Sequence, residues 1–570
     1  MFRGWPTAAV LVGLAGAGAV VFFGGLQWGL PSRAADAYLF GEGPAWIGEE
    51  IVRLAGDWTD DPARGADVDV DPLVAQDQPV HINETDAQRA AIARRYRLYT
   101  YQPDEMITLR ALASMRPGQG RLDPRLYQYG GLWIYPVGAL IRLAGAAGHV
   151  TLTPDVAWYL DRPEEFGKLY VAARLYTAAW ALAGVWAAFA LGRRLAGGCV
   201  FSGAAAALCV MVMPVVVNMS HEAKPHLPGA VLMLLAVLAA TRYAESGRTL
   251  WWAVTACTCG AAAGMGLSAW PVLAVLPVMV VLRRASWEEV LSRTVFGCLI
   301  AGAVYLATNP YIAINLAVNR EVLRSNFGNS LAMYEIGRLG EGIINAAWLV
   351  LEGTSPILAV FGAGGALWLA VRGVRRSGGG YEPQITGMGW LLAAPAAVVL
   401  LQFAALAAGK PGEYGRFAVL PDVALGIAAV AAVRRRVRTV GQGVVVMLLL
   451  LLTTGSAGSE YYFGFLRDSG GRSSRMQTAG QLQAYLDSGA RTLGVVAEPA
   501  PYGLPPVNLA RWEIYLLPAD VDSETIGRMD VLIRAWGTRG YGAAGATASH
   551  RPYPPTLLEL DGKPISWADK

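Results

Sequence analysis

The sequence predicts an all-α polytopic membrane protein that carries a small α/β domain at its carboxy-terminal end. Three observations lead there. Hydrophobic residues make up 54% of the 570-residue chain and charged residues only 16%, against about 25% in soluble domains. The apolar residues gather in runs of the length that crosses a bilayer, about 20 residues each. Arginines collect in alternate short loops between those runs. The mean hydropathy is +0.37. The net charge of +4 carries no signal for nucleic acid.

The first run is 7–28. It is longer than the core of a signal peptide, and no small-x-small cleavage site clearly follows it, so it reads as a retained span. Further runs are 168–191, 200–218, 227–243, 250–266, 269–282, 295–309, 351–371, 388–408, 417–433 and 441–454, about eleven spans in all. Arg193 and Arg194, Arg242 and Arg248, Arg283 and Arg284, the set Arg372, Arg375 and Arg376, and the set Arg434, Arg435, Arg436 and Arg438 then share the cytoplasmic side, with the amino terminus inside. The alternation requires that 131–147 not cross. This segment contains Pro136 and Arg142 and reads as an interfacial helix.

Four segments face outward on this reading: the long loop 29–167, the short loop 221–228, the stretch after Asn309-Pro310, and the loop 410–416. Residues 1–456 form the membrane domain and 457–570 an extracytoplasmic α/β domain. The latter shows a helix at 474–486 and strand-like runs at 492–497 and 529–535. No internal repeat of the transporter kind is visible. The five cysteines, Cys199, Cys209, Cys257, Cys259 and Cys298, lie in or beside apolar runs. Cys257 and Cys259 point to different faces of a helix. They read as small apolar residues rather than metal ligands or disulfide partners.

The stretches that carry chemistry lie on the outward side. In Tyr101-Gln102-Pro103-Asp104-Glu105 an acidic pair precedes the aromatic, glycine-bearing segment Tyr127-Gln128-Tyr129-Gly130-Gly131. A partly desolvated carboxylate serves as a general base toward a hydroxyl. A proline followed by acids is also an ordinary helix opening, and both readings stand. In Ser220-His221-Glu222-Ala223-Lys224-Pro225-His226, Lys224 is placed to hold a phosphate and His221 or Glu222 to orient a sugar hydroxyl, unless the segment is a solvated hairpin. In Lys410-Pro411-Gly412-Glu413-Tyr414-Gly415-Arg416, the two cations meet a lipid phosphate or snorkel at the interface. Arg174, two turns inside a span, faces protein or a wet cavity, paired with an acid of the long loop or reaching outward. Asp57, Asp60, Asp61, Asp67, Asp69 and Asp71 lack the offsets of a calcium loop and read as solvated. Asp36 rivals Asp104 as base, and Asn83-Glu84-Thr85 matches a glycosylation sequon.

Together these stretches resemble the GT-C superfamily of membrane glycosyltransferases, and within it the protein O-mannosyltransferases and lipid-A aminoarabinose transferases. Pro103-Asp104-Glu105 resembles the family's acidic pair, and Asp123-Pro124 with 127–135 its entry into the interfacial helix. Ala173-Arg174-Leu175 resembles the start of its second span and 220–228 its second outer loop. Asn309-Pro310-Tyr311 and 416–421 resemble later features. The chain departs from the pattern in two places: 31–100 stands as an insertion before the acidic pair, and His226 stands where many relatives have an aspartate. The resemblance implies an inverting transfer of a sugar from a polyprenyl-phosphate donor to an acceptor glycan, lipid or protein. Asp104 would be the base and Glu105 its partner. His221, Glu222, Lys224, Lys410, Tyr414, Arg416, Arg174 and Tyr129 would line the substrate site, with neither metal nor other cofactor. Two other classes compete: a transporter or flippase of lipid-linked sugars, and a non-catalytic envelope assembly protein.

Overall fold

The computed structural model describes residues 7–56, 78–102, 104–332, 339–375, 387–406, 416–437, 439–471, 473–496, 504–518, 521–535, 558–560 and 563–564. The acidic patch from Asp57 to Asp71, Lys410, Tyr414, Arg376 and Arg438 lie outside the described residues. The chain opens with α1 (Thr7–Phe23). The long loop contributes α2 (Asp86–Leu98), α3 (Glu105–Ser114) and α4 (Gly131–Ala146). Next come α5 (Pro163–Leu195), α6 (Val200–Met211), α7 (Pro214–Ser220), α8 (His226–Ser246), α9 (Thr249–Met265), α10 (Val275–Val281) and α11 (Trp287–Thr308). They are followed by α12 (Pro310–Val318), α13 (Arg320–Ala332), α14 (Leu339–Gly353) and α15 (Pro356–Arg375). Then come α16 (Gly389–Leu406), α17 (Val419–Arg436), α18 (Val440–Ser469) and α19 (Ser474–Asp487).

Among the described residues, four helices, α5, α8, α11 and α18, are continuous, long and apolar enough to cross a membrane, or six spans if two bent pairs are counted. The chain is a multi-pass membrane protein. Those spans are fewer than the eleven runs read from the sequence, and proline explains part of the difference. Run 200–218 bends by 61° between α6 and α7, and run 351–371 by 113° between α14 and α15. In each case a proline, Pro214 or Pro356, opens the second helix. Proline lacks the N–H that would continue the ladder and pushes its predecessor out of helical geometry. Run 269–282 starts as a 3-10 turn, Leu267–Ala274, with Pro271 inside it. Segment 131–147 is helical despite Pro136.

The chain divides into two compact units. The first comprises Met1–Gly24, Arg125–Pro136 and Leu175–Tyr462. Its helices approach closely through small residues, as membrane helices do. A Cβ on Gly260 of α9 would lie 2.3 Å from the Ala301 carbonyl oxygen of α11, and one on Gly365 of α15 would lie 2.6 Å from that of Ala428 on α17. The arginine-rich loops share one end of this unit. Arg194 reaches Glu245 at 3.0 Å, Arg283 donates to the Ala244 carbonyl at 3.4 Å, and Arg435 donates to that of Leu195 at 3.1 Å. That convergence is what the alternation along the sequence requires.

The second unit comprises Gly25–Pro124, Val137–Arg174 and Phe463–Lys570. It joins most of the long loop to the carboxy-terminal segment, which the sequence reading places in separate domains. Among the described residues its strands are β1 (Val80–His81), β2 (Thr492–Val496), β3 (Glu513–Leu517), β4 (Val531–Ala535), β5 (Leu558–Leu560) and β6 (Lys563–Pro564). They form one sheet in the order β1-β3-β2-β4-β5-β6. Strand β2 runs parallel to β3 and β4, while β1 from the loop pairs antiparallel with β3. The expected helix at 474–486 and the expected strands at 492–497 and 529–535 correspond to α19, β2 and β4. Ile82, Ile92 and Tyr96 of the loop share a core with Leu482, Leu493, Val495, Ile514 and Ile533. The Tyr96 hydroxyl donates to the Leu504 carbonyl, and burial pushes this phenol well above its ordinary range. The backbone N–H groups of Arg491 and Thr492 bind the Asp530 carboxylate at 2.7 and 2.9 Å and hold it below the usual range.

Asn83 pins the loop to the sheet. Its amide donates to the carbonyls of Leu509 and Trp512 at 3.0 and 2.7 Å, and its oxygen accepts from Ile514 N–H at 2.8 Å. Thr85, the third residue of the sequon, caps α2 in a capping box with Gln88. Asn83 is 2% exposed, so the sequon has no amide to offer a glycan. Replacing Asn83 by Ala leaves three backbone groups without partners and is expected to cost about 2–3 kcal/mol, read as a lowered thermal midpoint of the purified protein. Expression in a glycosylating host is expected to add no mass at Asn83.

Candidate active site

The acidic pair opens α3. Asp104 is its N-cap residue, but its carboxylate makes no capping bond. Its backbone N–H reaches the Gln102 side-chain oxygen at 3.3 Å. Asp104 is half-buried, whereas Glu105 is fully buried. Glu105 meets Arg174 side-on: Arg174 Nε lies 2.8 Å from Oε1 and Nη2 lies 2.6 Å from Oε2. The Thr100 hydroxyl adds a bond to Oε2 at 2.5 Å. Arg174 Nη1 donates to the carbonyls of Leu26 and Trp28 at 2.7 and 2.6 Å, and the guanidinium sits 4.8 Å from the Trp28 ring centroid.

Of the two situations open to Arg174, the pairing with an acid of the long loop is the one found. Both Glu105 oxygens and most Arg174 donors are committed to protein groups. They hold the first turn of α3, and with it Asp104, against the backbone that follows α1. Asp36, the rival base, is likewise engaged: Arg97 binds it at 3.2 and 3.1 Å.

In the first unit the loop between α7 and α8 is buried rather than a solvated hairpin. His221, Glu222 and Lys224 are 0%, 0% and 2% exposed. Lys224 Nζ lies 3.3 Å from Glu222 Oε2. His221 Nδ1 lies 2.7 Å from the Val217 carbonyl and Nε2 lies 2.8 Å from that of Gly24. A neutral imidazole has one N–H, so only the doubly protonated ring donates to both. These contacts tie α7 to the end of α1.

Tyr129 and Arg416 come together through two aromatic rings that the sequence reading did not select for the site. The Tyr129 ring meets His226 edge-on at 5.8 Å, and His226 meets Phe417 edge-on at 4.9 Å. Arg416 Cζ lies 5.4 Å from the Phe417 ring. His226 Nδ1 is 3.4 Å from the Ser268 hydroxyl. Backbone positions this cluster. Gly130 N–H bonds the Met265 carbonyl at 3.0 Å, Leu267 N–H bonds that of Gln128 at 3.1 Å, and Gly131 N–H bonds Asn309 Oδ1 at 2.8 Å. A Cβ on Gly130 would fall 1.9 Å from the Gly264 carbonyl oxygen, so only glycine permits this approach. A cation beside aromatic rings suits a phosphosugar, whose charge and ring faces call for both. His226 was visible only as a departure from an expected aspartate, and Phe417 only as the edge of an apolar run.

The Glu105–Arg174 pair sets a measurable cost. Glu105→Gln leaves the Arg174 charge buried without its carboxylate, and the expected loss is about 3–5 kcal/mol. The double change Glu105→Leu with Arg174→Met is expected to recover only part of it, because the Leu26 and Trp28 carbonyls then lose their donors. Denaturant unfolding of the detergent-solubilised protein measures both.

Residues 163–312 match the family model of dolichyl-phosphate-mannose-protein mannosyltransferase. No curated protein sequence matches the chain. The fold is similar to ArnT from Cupriavidus metallidurans bound to undecaprenyl phosphate, with 15% identity over 93% of this chain and 93% of that one, at a TM-score of 0.45. The same protein in the apo state matches at 14% identity over 94% of each chain, with a TM-score of 0.43. The apo oligosaccharyltransferase of Archaeoglobus fulgidus matches at 12% identity over 82% of this chain, with a TM-score of 0.41, and this chain spans 56% of its length. The matched stretch 163–312 contains Arg174, the buried His221–Lys224 loop and His226, and over it the chain is similar to the dolichyl-phosphate-mannose-protein mannosyltransferases.

Proposed function

We propose that the chain is an inverting glycosyltransferase that moves a sugar from a polyprenyl-phosphate donor to an acceptor hydroxyl at the outer face of the membrane. The observation that carries this reading is the family match over 163–312, a family described by its dolichyl-phosphate-mannose donor. The stretch includes the anchor of the acidic pair, Arg174, and the buried polar loop. The arginine-rich end of the first unit supplies the orientation: with those loops cytoplasmic, the loop 221–225 at the other end of α8 faces outward.

The chemistry assigned to the residues is a single displacement. The acceptor oxygen attacks the sugar C1 from the face opposite the phosphate. The C1–O bond breaks, the electron pair leaves with the polyprenyl monophosphate, and the hydroxyl proton passes to Asp104. Asp104 suits this role because its carboxylate is half-buried, does not cap α3, and rides on a turn held by the Glu105–Arg174 pair. Arg416 is the preferred cation for the leaving phosphate. Lys224 already faces Glu222, so its charge is partly answered within the protein. Lys410 and Tyr414, which lie outside the described residues, remain proposed substrate contacts on the sequence resemblance. Tyr129, His226 and Phe417 offer ring faces and edges to a sugar.

In proteoliposomes given a radiolabelled polyprenyl-phosphate sugar and a cell-envelope extract, wild type is expected to transfer label. Asp104→Asn is expected to lose about 100-fold or more of the rate, the span of a general base, with unchanged thermal stability. Normal transfer by Asp104→Asn removes Asp104 from the base role, and absence of transfer by wild type removes the enzyme reading. Arg416→Gln is expected to lower kcat more than it raises KM, since the charge it meets develops as the phosphate leaves.

A further inference from the structure

The first unit holds a cavity of about 550 Å³ lined by none of the residues assigned above. It lies along the α8–α9 hairpin, with Val304 of α11 at its side. Its α8 wall is one helix face, formed by Leu232, Leu235, Ala239 and Arg242, spaced three and four residues apart as a continuous stripe demands. Its α9 wall runs from Trp251 through Cys257 to Ala261. Thr258, a polar side chain on this wall, donates back to the Val254 carbonyl at 2.7 Å, so the interior is effectively apolar.

The groove has a length and a polarity. Leu232 to Arg242 spans ten residues, about 15 Å of helix at 1.5 Å per residue. That is half the thickness of a bilayer hydrocarbon core of about 30 Å, the depth of one leaflet. The charged end lies where α8 gives way to α9. Arg242 lies over the Trp251 ring at 5.4 Å, a pairing suited to the headgroup level. Gly247, at φ +67°, makes the turn there, and Arg248 follows it. Neighbouring acids are engaged elsewhere: Glu245 with Arg194 at 3.0 Å, and Glu289 with Arg293 at 2.8 Å. Arg242 and Arg248 are exposed and enter no ion pair among the described residues.

We propose that this groove binds a membrane phospholipid with an anionic headgroup, one acyl chain lying between α8 and α9 and the phosphate resting on Arg242 and Arg248. The apolar walls match a single chain of one leaflet. The uncompensated guanidinium groups match the charge, as basic pockets between membrane helices do for anionic lipids. The site lies at the opposite end of α8 from His226 and is independent of the sugar chemistry.

The test is lipid retention by the full-length protein. The detergent-solubilised protein is equilibrated with equal amounts of phosphatidylglycerol and phosphatidylcholine, and bound lipid is counted by native mass spectrometry. Wild type is expected to retain phosphatidylglycerol preferentially. Arg242→Gln is expected to cut that preference about fivefold, and Arg242→Lys to keep it. Cys257 is exposed on the groove wall, so Cys257→Trp fills the groove without invading the core and is expected to abolish retention of both lipids. A circular dichroism melt confirms that each variant is folded. Equal retention of the two lipids by wild type overturns the proposal. So does unchanged preference in Arg242→Gln, unchanged retention in Cys257→Trp, or replacement of the phospholipid by added polyprenyl monophosphate.

Discussion

The ion pair between Arg174 and Glu105 is the constraint on which the arrangement around the acidic pair depends. It gathers three segments remote in sequence: the backbone at Leu26 and Trp28 after α1, the start of α3, and the second turn-pair of α5. Two charges taken fully out of water pay a desolvation cost of several kcal/mol each. The site repays it by satisfying the guanidinium on several sides, with two carboxylate oxygens, two carbonyls and an indole face. Removing one member leaves the other charge stranded. Asp104, adjacent in the chain, inherits a fixed position from that arrangement.

A second constraint is the interruption of helices by proline. Pro214 and Pro356 each start a new helix after a sharp bend. The first of these bends leads to the short α7, whose end carries Ser220 and the buried loop that follows. The loop is held by bonds to backbone rather than by solvent: His221 bridges the Val217 and Gly24 carbonyls. Such a loop presents few degrees of freedom, which suits a site that must hold charge in place in a low-dielectric setting.

The second unit shows why the long loop is not an appendage. It lends β1 to the sheet and several residues to the core, and Asn83 locks the junction with three hydrogen bonds. The long segment before the acidic pair, which reads as an insertion, is in large part a component of this α/β unit. A two-residue edge strand such as Val80–His81 leaves no periodicity to detect, because its existence rests on pairing with Tyr515 and Leu516, more than 400 residues away.

The sequence by itself determined the membrane character, most helix positions, the common end of the arginine loops and two of the strands. These follow from local composition and period, which a single segment carries alone. It also marked Asp104, Glu105, Arg174, Tyr129, Arg416 and the 220–226 loop as unusual, since charge or polarity beside an apolar run is visible without a fold. Only the tertiary structure decided what each does with its neighbours. It paired Glu105 with Arg174, made the sequon asparagine a structural clamp, and brought His226 and Phe417 between Tyr129 and Arg416. The physical reason is that burial and pairing are properties of contacts between distant segments. A residue's type states which bonds it is able to make, and the fold selects the partner.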